Sequence, residues 1–147
     1  MTPHPLLTSV RALADAVDAF DDAAARTLGV ARSDLRALNL LEHGPMTAGE
    51  MGARLGLTSG SMTALVDRLV RAGYVARRPD EGDRRKVMVQ LEPATWEAFA
   101  RVYGPCGRAV AAVAGRMPSR QVDSARDALA AVADAIRTEG DRLRQEP

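Results

Sequence analysis

The chain has 147 residues, of which 46% are apolar, 27% charged and only 3% aromatic, a composition that predicts one helix-rich globular domain. No apolar run approaches the roughly 18 residues of a membrane span, and the first ten residues lack the pattern of a secretory signal, so we expect a cytoplasmic protein. The net charge is only +1, but residues 68–86 hold seven basic and three acidic side chains, a net +4. This surplus favours a polyanionic partner, although from charge alone a solvated loop explains it equally well.

Two apolar stripes predict long helices at the ends of the chain. Residues 6–28 hold apolar side chains at steps of three and four, and the same spacing follows Pro118, a residue suited to a first helical turn. Such narrow stripes pack on other helices, either within the chain or in a second copy related by twofold symmetry, and we favour the second copy. The residues predicted to form this dimer interface are Leu6, Val10, Leu13, Val17, Val122, Leu129, Val132 and Ile136.

The middle of the chain begins with two short helices. Residues 33–42 carry leucines on one side, with Ser33 as the expected N-cap. Thr47 and Glu50 then have the spacing of a capping box, in which the Thr hydroxyl and the Glu carboxylate each accept a hydrogen bond from the other residue's backbone. The spacing predicts a second short helix directly after Thr47.

A third helix and a hairpin complete this segment. Thr58 or Ser59 caps the helix, and a short turn containing glycine separates it from the helix before, which is the helix-turn-helix arrangement. Residues 74–79 and 87–91 then alternate as strands around an acidic, glycine-containing tip. This succession predicts a mainly α fold, a winged helix-turn-helix with a two-stranded wing. The predicted buried face of the third helix is Met62, Leu65, Val66 and Leu69.

The last helical region begins at Pro93 and extends to residue 116, with Gly104 and Pro105 inside it. A proline in a helix interior removes one hydrogen bond, so we expect a bend or an interruption there.

The chain then divides into N-terminal dimerisation and support helices (1–45), a DNA-binding lobe (46–91) and C-terminal dimerisation helices (92–147), within one compact domain.

The first turn of the third helix is small and polar. Small side chains let a helix end approach another surface, and its free N–H groups favour phosphate. Capping accounts for one hydroxyl there, but not for four hydroxyl residues in six positions. Thr63 can reach a base edge or a thymine methyl, while Arg68 and Arg71 meet phosphate or an acidic side chain. The predicted DNA contacts are Thr58, Ser59, Gly60, Ser61, Thr63, Arg68, Arg78, Arg84, Arg85 and Lys86.

The acids among these arginines have a role compatible with DNA binding. Basic side chains at the hairpin tip can lie over the DNA backbone, and an arginine gains from the negative potential of a narrow minor groove. Asp67 and Asp83 are predicted to brace the wing, because an arginine held in place beforehand loses less side-chain entropy on binding.

No motif of an enzyme or of a metal site is evident. The sequence has no nucleophile–base pair and no phosphate-binding glycine loop, and His4 and His43 are too far apart for paired metal ligands. Cys106 is the single cysteine, and burial is favoured over redox sensing. We therefore expect neither catalysis nor a cofactor. Core packing is favoured over a ligand cavity for the aromatic residues Phe20, Trp96 and Tyr103.

The segment 46–91, and within it "LVDRLVRAGYVARRPDEGDRRKVMVQL", resembles the winged helix-turn-helix core of the multiple antibiotic resistance regulator (MarR) family. The resemblance implies a homodimer with interlocked terminal helices, whose two recognition helices read adjacent major grooves of a pseudo-palindromic operator. Ser59, Gly60, Ser61 and Thr63 match the recognition helix, Arg85 the wing arginine that enters the minor groove, and Asp83 the bracing acid.

The resemblance also implies a repressor that a small aromatic or phenolic ligand, bound between the dimer helices and the DNA-binding lobe, releases from DNA. The chain departs from the family pattern directly after the wing, where Leu91, Glu92 and Pro93 lead into the next helix. The alternative function is a winged helix that binds another protein, without sequence-specific DNA binding.

Overall fold

The computed structural model describes residues 4–145, which fold into helices and one small sheet. The chain divides into two compact units, one extending to Gly104 and the other beginning at Pro105. The elements are α1 (Pro5–Leu28), α2 (Arg32–Leu41), β1 (Met46–Thr47), α3 (Ala48–Leu55), α4 (Ser59–Arg71), β2 (Val75–Pro79), β3 (Val87–Leu91), α5 (Pro93–Ala114) and α6 (Ser119–Gln145).

Local side-chain chemistry fixes the ends of several helices. α1 ends at Gly29, whose φ of 69° is left-handed and therefore favours glycine. The predicted capping box is confirmed: Glu50 N donates to Thr47 Oγ1 at 3.2 Å, and Thr47 N donates to Glu50 Oε2 at 2.8 Å. Thr58 is the N-cap of α4, and its hydroxyl accepts a hydrogen bond from Ser61 N. The start of α4 is thus set by the residues that the sequence indicated.

The core lies beneath α4 and the sheet, and it holds α4 in place. Leucines of α2 and the predicted buried face of α4 form its centre, which confirms the assignment of that face. Burying each of these large side chains contributes about 1.5–3 kcal/mol. The side chains that are no more than 1% exposed include Leu35, Leu38, Leu41, Met51, Met62, Val66, Leu69 and Val89.

The sheet has three antiparallel strands in the order β1-β3-β2. β2 and β3 form the predicted hairpin, with Val75 opposite Leu91 and Pro79 opposite Val87. β1 was not predicted, because two residues cannot display a period of two; Met46 pairs with Val89. The extra strand makes β3 central and attaches the hairpin to the start of α3. We call β2, β3 and the loop 80–86 between them the wing.

Two expectations about helix ends are wrong, and the interruption considered at Pro105 is absent. α2 begins one residue earlier than predicted, so Ala31, in extended backbone without a side-chain cap, takes the N-cap position instead of Ser33. α5 is not interrupted at Pro105 and ends at Ala114, two residues before the predicted end. A proline removes only one donor from the helix ladder, and the turns on either side of Pro105 retain theirs.

Candidate nucleic-acid interface

The first turn of α4 presents a small, polar and exposed surface. Thr58 Oγ1 donates to Ser61 Oγ at 3.0 Å, and Thr63 Oγ1 donates to the carbonyl oxygen of Ser59 at 2.9 Å. A Cβ atom added at Gly60 would meet no heavy atom within 4 Å. The protein's own packing therefore does not require glycine at this position, and the turn is open to an external surface.

An ion pair ties α4 to α2 behind this turn. Arg68 Nε donates to Asp34 Oδ2 at 3.0 Å and its Nη2 to Oδ1 at 2.5 Å. The Asp34 side chain is only 5% exposed, whereas that of Arg68 is 51% exposed. The hydrogen bonds and the negative charge of Asp34 raise the pKa of Arg68. The sequence allowed either a phosphate or an acidic side chain as the partner of Arg68. Within the protein that partner is the acidic side chain of Asp34.

A second ion pair joins α4 to the wing. Asp67 accepts a hydrogen bond from Arg77 Nη2 of β2 at 2.6 Å. Arg78, on the same strand, lies 3.7 Å from the Glu92 carboxylate, and its side chain is largely exposed. Asp67 therefore holds an arginine that adjoins one of the predicted DNA contacts, and it fixes β2 against α4.

Aspartates shape the wing tip through the backbone. Asp80 Oδ2 accepts hydrogen bonds from the N–H groups of Gly82 and Asp83, at 3.1 and 2.9 Å. Asp83 Oδ1 accepts from Arg85 N at 3.1 Å. Asp80 N donates to the carbonyl oxygen of Lys86 at 3.0 Å, and Lys86 N donates to that of Asp83 at 2.9 Å, which closes the loop. The acids thus hold the chain that carries the basic residues, while no carboxylate of the described chain forms a salt bridge with the side chains of Arg84, Arg85 or Lys86.

Tyr74 connects α4, the wing and the helices on either side of the lobe. Its carbonyl oxygen accepts hydrogen bonds from Glu92 N at 3.0 Å and from the buried Thr95 Oγ1 at 2.7 Å. Its hydroxyl donates to the carbonyl oxygen of Leu28, at the end of α1. Tyr74 also lines a groove of about 600 Å³, which we call the effector groove for the role proposed for it below. Its other lining residues include Phe20, Ala23, Thr27, Ala98, Arg101 and Val102.

The aromatic residues are divided between core and surface. Tyr103 packs against Phe20 and Phe99, each with 5.4 Å between ring centroids, and its hydroxyl lies 3.3 Å from Asp21 Oδ1. Burial of the phenol raises the pKa of Tyr103. Trp96 is 46% exposed and does not contribute to the core. The core interpretation therefore holds for Tyr103, while Phe20 serves both the cluster and the effector groove.

Five of the eight residues predicted to form a dimer interface are exposed apolar side chains. Leu6, Leu13 and Val17 of α1 are about half exposed, and so are Leu129 and Ile136 of α6. The other three predicted residues, Val10, Val122 and Val132, are of intermediate exposure. α6 has no buried residue.

Two classes of feature are absent from residues 4–145. No three histidine, cysteine or acidic side chains of this range lie together as metal ligands would. Within the same range, no helical stretch combines the length and the hydropathy that a bilayer span requires. The geometry defines a winged helix whose exposed polar turn and basic wing tip suit DNA.

Comparison with known proteins gives the family. The MarR family model matches residues 28–86. YcgE, an HTH-type transcriptional regulator of Bacillus subtilis, is 38% identical over 127 residues, which cover 86% of this chain and 82% of YcgE. The chain therefore belongs to the MarR family of winged helix-turn-helix transcriptional regulators, which are DNA-binding proteins and not enzymes.

Solved structures share the fold at low sequence identity. MarR from E. coli, in its apo form, is 20% identical with a TM-score of 0.61, over 89% of this chain and 98% of MarR. NadR, solved in complex with 4-hydroxyphenylacetate, is 17% identical with a TM-score of 0.65, over 90% of this chain and 95% of NadR. At these identities the likeness concerns the fold alone.

Proposed function

We propose that this regulator is a homodimeric repressor, which binds a pseudo-palindromic operator and leaves it when a small aromatic or phenolic ligand binds. The observation that carries the proposal is the pairing, in one lobe, of an exposed polar helix turn with a wing tip whose basic side chains form no salt bridge within the described residues. DNA phosphates would supply the missing negative charge.

In this proposal α4 lies in the major groove and is the recognition helix. Its first turn, Thr58–Ser61, and Thr63 face the bases, and Gly60 lets the backbone approach the DNA closely. Arg68 contacts a phosphate with the donors that Asp34 leaves free, since its side chain is half exposed. The bidentate pair with Asp34 sets the direction of that guanidinium before DNA arrives.

The wing contacts DNA beside that groove. Arg85 enters the minor groove, while Arg84, Lys86 and Arg78 contact the backbone. Asp83 acts as the bracing residue because it holds the N–H of Arg85, and Asp67 braces the strand through Arg77. A tip fixed in this way loses less conformational entropy on binding than a free loop.

A pseudo-palindromic operator requires two copies of the chain, and the terminal helices can join them. The half-exposed apolar side chains of α1 and α6 recur at helical spacing, so each seam can be covered by helices of a second chain. Burial of large apolar side chains contributes about 1.5–3 kcal/mol each, and these seams hold several per chain.

Release by a ligand is supported by the effector groove. Phe20 and Tyr74 offer aromatic walls and Arg101 a cation, a combination that suits an aromatic acid. An occupant in contact with Tyr74 would act on the residue that links α1, α4 and the wing. NadR, which shares the fold, was solved with such a compound, 4-hydroxyphenylacetate.

The DNA contacts are tested by Arg85→Ala, with Arg11→Ala as a control that removes the same charge from an exposed position on α1. We expect Arg85→Ala to weaken binding to an operator recovered by selection by about tenfold or more, and to reduce the salt dependence by about one phosphate contact. The melting temperature should not change. Equal operator affinity of Arg85→Ala and Arg11→Ala would contradict the role of the wing.

The effector groove is tested by titrating 4-hydroxyphenylacetate into the operator complex. We expect DNA to be released at millimolar concentrations, and release to require a higher concentration in Arg101→Gln. Arg36→Gln, which removes a charge outside the groove, should respond like the parent. If Arg101→Gln and Arg36→Gln release DNA at the same ligand concentration, the ligand binds outside the groove.

The protein-interaction alternative finds less support in the same surface. None of the exposed large apolar side chains of the described residues lies on α3 or α4, whereas protein-binding faces have an apolar centre. Gel shifts with excess random competitor DNA separate the two functions, since a protein-interaction module would show no operator complex that survives the competitor.

A further inference from the structure

The hydroxyl groups on the first turn of α4 are not equally available to DNA. The proton of Thr63 Oγ1 is donated to the carbonyl oxygen of Ser59, four residues earlier, at 2.9 Å. Thr58 Oγ1 is engaged with both the backbone and the hydroxyl of Ser61. The hydroxyl proton of Thr63 is thus already donated within the helix, and Thr63 can offer an incoming surface only the acceptor lone pairs of Oγ1 and its γ-methyl.

Thr63 also lines a small cleft between α3 and α4. The cleft has a volume of about 160 Å³, and apolar or glycine residues form most of its wall. Gly52 permits the close packing behind it, since a Cβ atom there would lie 3.2 Å from the carbonyl oxygen of Leu57. The lining residues are Ala48, Gly49, Gly52, Leu57, Met62 and, at the side of the recognition turn, Ser59 with Thr63.

The chemistry of this cleft differs from that of the turn beside it. A cleft with largely apolar walls gains free energy from another apolar group and offers little to a phosphate or a hydrogen-bonding base edge. In the major groove of B-DNA, the apolar group on a base edge is the 5-methyl of thymine. The volume accommodates that methyl together with the adjoining pyrimidine edge.

We infer that Thr63 and the α3–α4 cleft select a thymine in each operator half-site by contact with its 5-methyl group, and that the Thr63 hydroxyl takes no part in the selection. The inference rests on the proposed position of α4 in the major groove. Thr63 is thus a specificity-determining residue that reads shape and apolar surface, while Ser59, whose hydroxyl has no partner among the described residues, remains available for a hydrogen bond.

The test replaces each thymine of a selected operator, one at a time, with deoxyuridine, which lacks only the 5-methyl group. At one position in each half-site we expect the parent protein to lose about fourfold in affinity, the effect of uncovering one methyl group. Thr63→Val keeps the methyl and should keep this loss. Thr63→Ser keeps the hydroxyl and should bind the thymine and deoxyuridine operators equally.

The outcomes separate this inference from the function on which it rests. If Thr63→Ser keeps the discrimination and Thr63→Val abolishes it, the hydroxyl is the reader and the inference is wrong. A parent that binds its operator tightly but is indifferent to every deoxyuridine overturns the inference alone, whatever the folding of the variants. A parent that binds no duplex overturns the proposed function as well.

Discussion

The DNA-reading lobe, residues 46–91, and the terminal helices differ in how fully a single chain covers their apolar side chains. In the lobe, Met62, Val66 and Val89 are no more than 1% exposed. On α1, Leu13 is 50% exposed, and α6 buries no residue at all. The apolar side chains of the lobe are therefore covered within one chain, with the help of α2 and the end of α1. The terminal helices, in contrast, carry apolar seams that one chain leaves open.

This difference in coverage corresponds to different physical roles for the lobe and the terminal helices. A recognition helix must be held rigidly to place its side chains, and α4 is held by its buried face and by ion pairs on two sides, to Asp34 and to Arg77. In the proposed dimer, the terminal helices set the distance between two such lobes, and their stability depends on the partner chain. Changes in the lobe should therefore alter affinity or folding within one chain, and changes in the seams should alter assembly.

The largest effect is expected from a charge in the α1 seam. Leu13→Asp places a carboxylate among apolar side chains, so we expect a dimer to dissociate into single chains. Operator affinity should fall by about a hundredfold or more, since the second half-site no longer adds to the first. Sedimentation and gel shifts measure both effects. Thr8→Asp, off the seam on the same helix, should change neither, and a similar loss from both variants would contradict the assignment of the seam.

A smaller effect is expected from the ion pair behind α4. Arg68→Ala leaves the buried Asp34 carboxylate without its partner, and we expect it to lower the free energy of unfolding by about 2 kcal/mol. Arg71→Ala removes an arginine from the same helix that contacts only a backbone carbonyl, and it should cost less than about 0.5 kcal/mol. Urea unfolding compares the two, and equal losses would show that the pair does not hold α4.

Gly60→Ala is expected to change stability and binding in opposite directions. The added methyl meets no protein atom, so helix propensity should raise the free energy of unfolding by up to about 0.5 kcal/mol. The same methyl lies where DNA is proposed to approach, so operator affinity should fall by several fold. Gly107→Ala, also open within the chain, is the control. Unchanged affinity for Gly60→Ala would move the DNA away from this turn.

The smallest effect is expected from the pH dependence of the α3 cap. The hydrogen bonds from Thr47, the backbone N–H first and the hydroxyl second, lower the pKa of Glu50 below its ordinary value near 4.5. This stabilisation is complete above pH 4.5 and is lost as the pH falls through the lower pKa of the folded state. The difference in urea midpoint between the parent and Glu50→Gln should therefore shrink between pH 7 and pH 3.

Thr47→Ala provides the control for that pH effect. It removes the hydroxyl that helps to hold the carboxylate, so the pKa of Glu50 should move back towards its ordinary value, as carbon NMR of the carboxyl group can follow. An unchanged pKa in this variant would show that the hydroxyl of Thr47 has no part in lowering the pKa of Glu50 and that the backbone N–H acts alone.

Patterns formed by residues that lie close together in the sequence predicted most of the fold. The Thr47–Glu50 spacing, the Thr58 cap and the apolar spacing in α4 each involve residues within a few turns of one another, and each is confirmed. The wing strands followed from their alternation and from the turn residues between them. Such features depend on local backbone chemistry and need no knowledge of the tertiary contacts.

Features that depend on distant residues were missed or left open. Asp34 and Arg68 are 34 positions apart, and no spacing in the sequence relates them. β1 exists only because β3 lies beside it. Ser33 had the chemistry of an N-cap, but Ala31, two residues earlier in the chain, occupies the N-cap position. The roles of individual hydroxyls on α4 likewise required the hydrogen-bond partner of Thr63.

The most direct test of the whole account is the mass of the protein bound to its operator. Duplexes that bind the purified full chain are selected from a random pool. The mass of the complex with the recovered sequence is then measured by native mass spectrometry or sedimentation. We predict two chains of 15.7 kDa on each duplex, with two half-sites about one helical turn apart. A single chain per duplex, or a 15.7 kDa particle that retains no duplex from the pool, would contradict it.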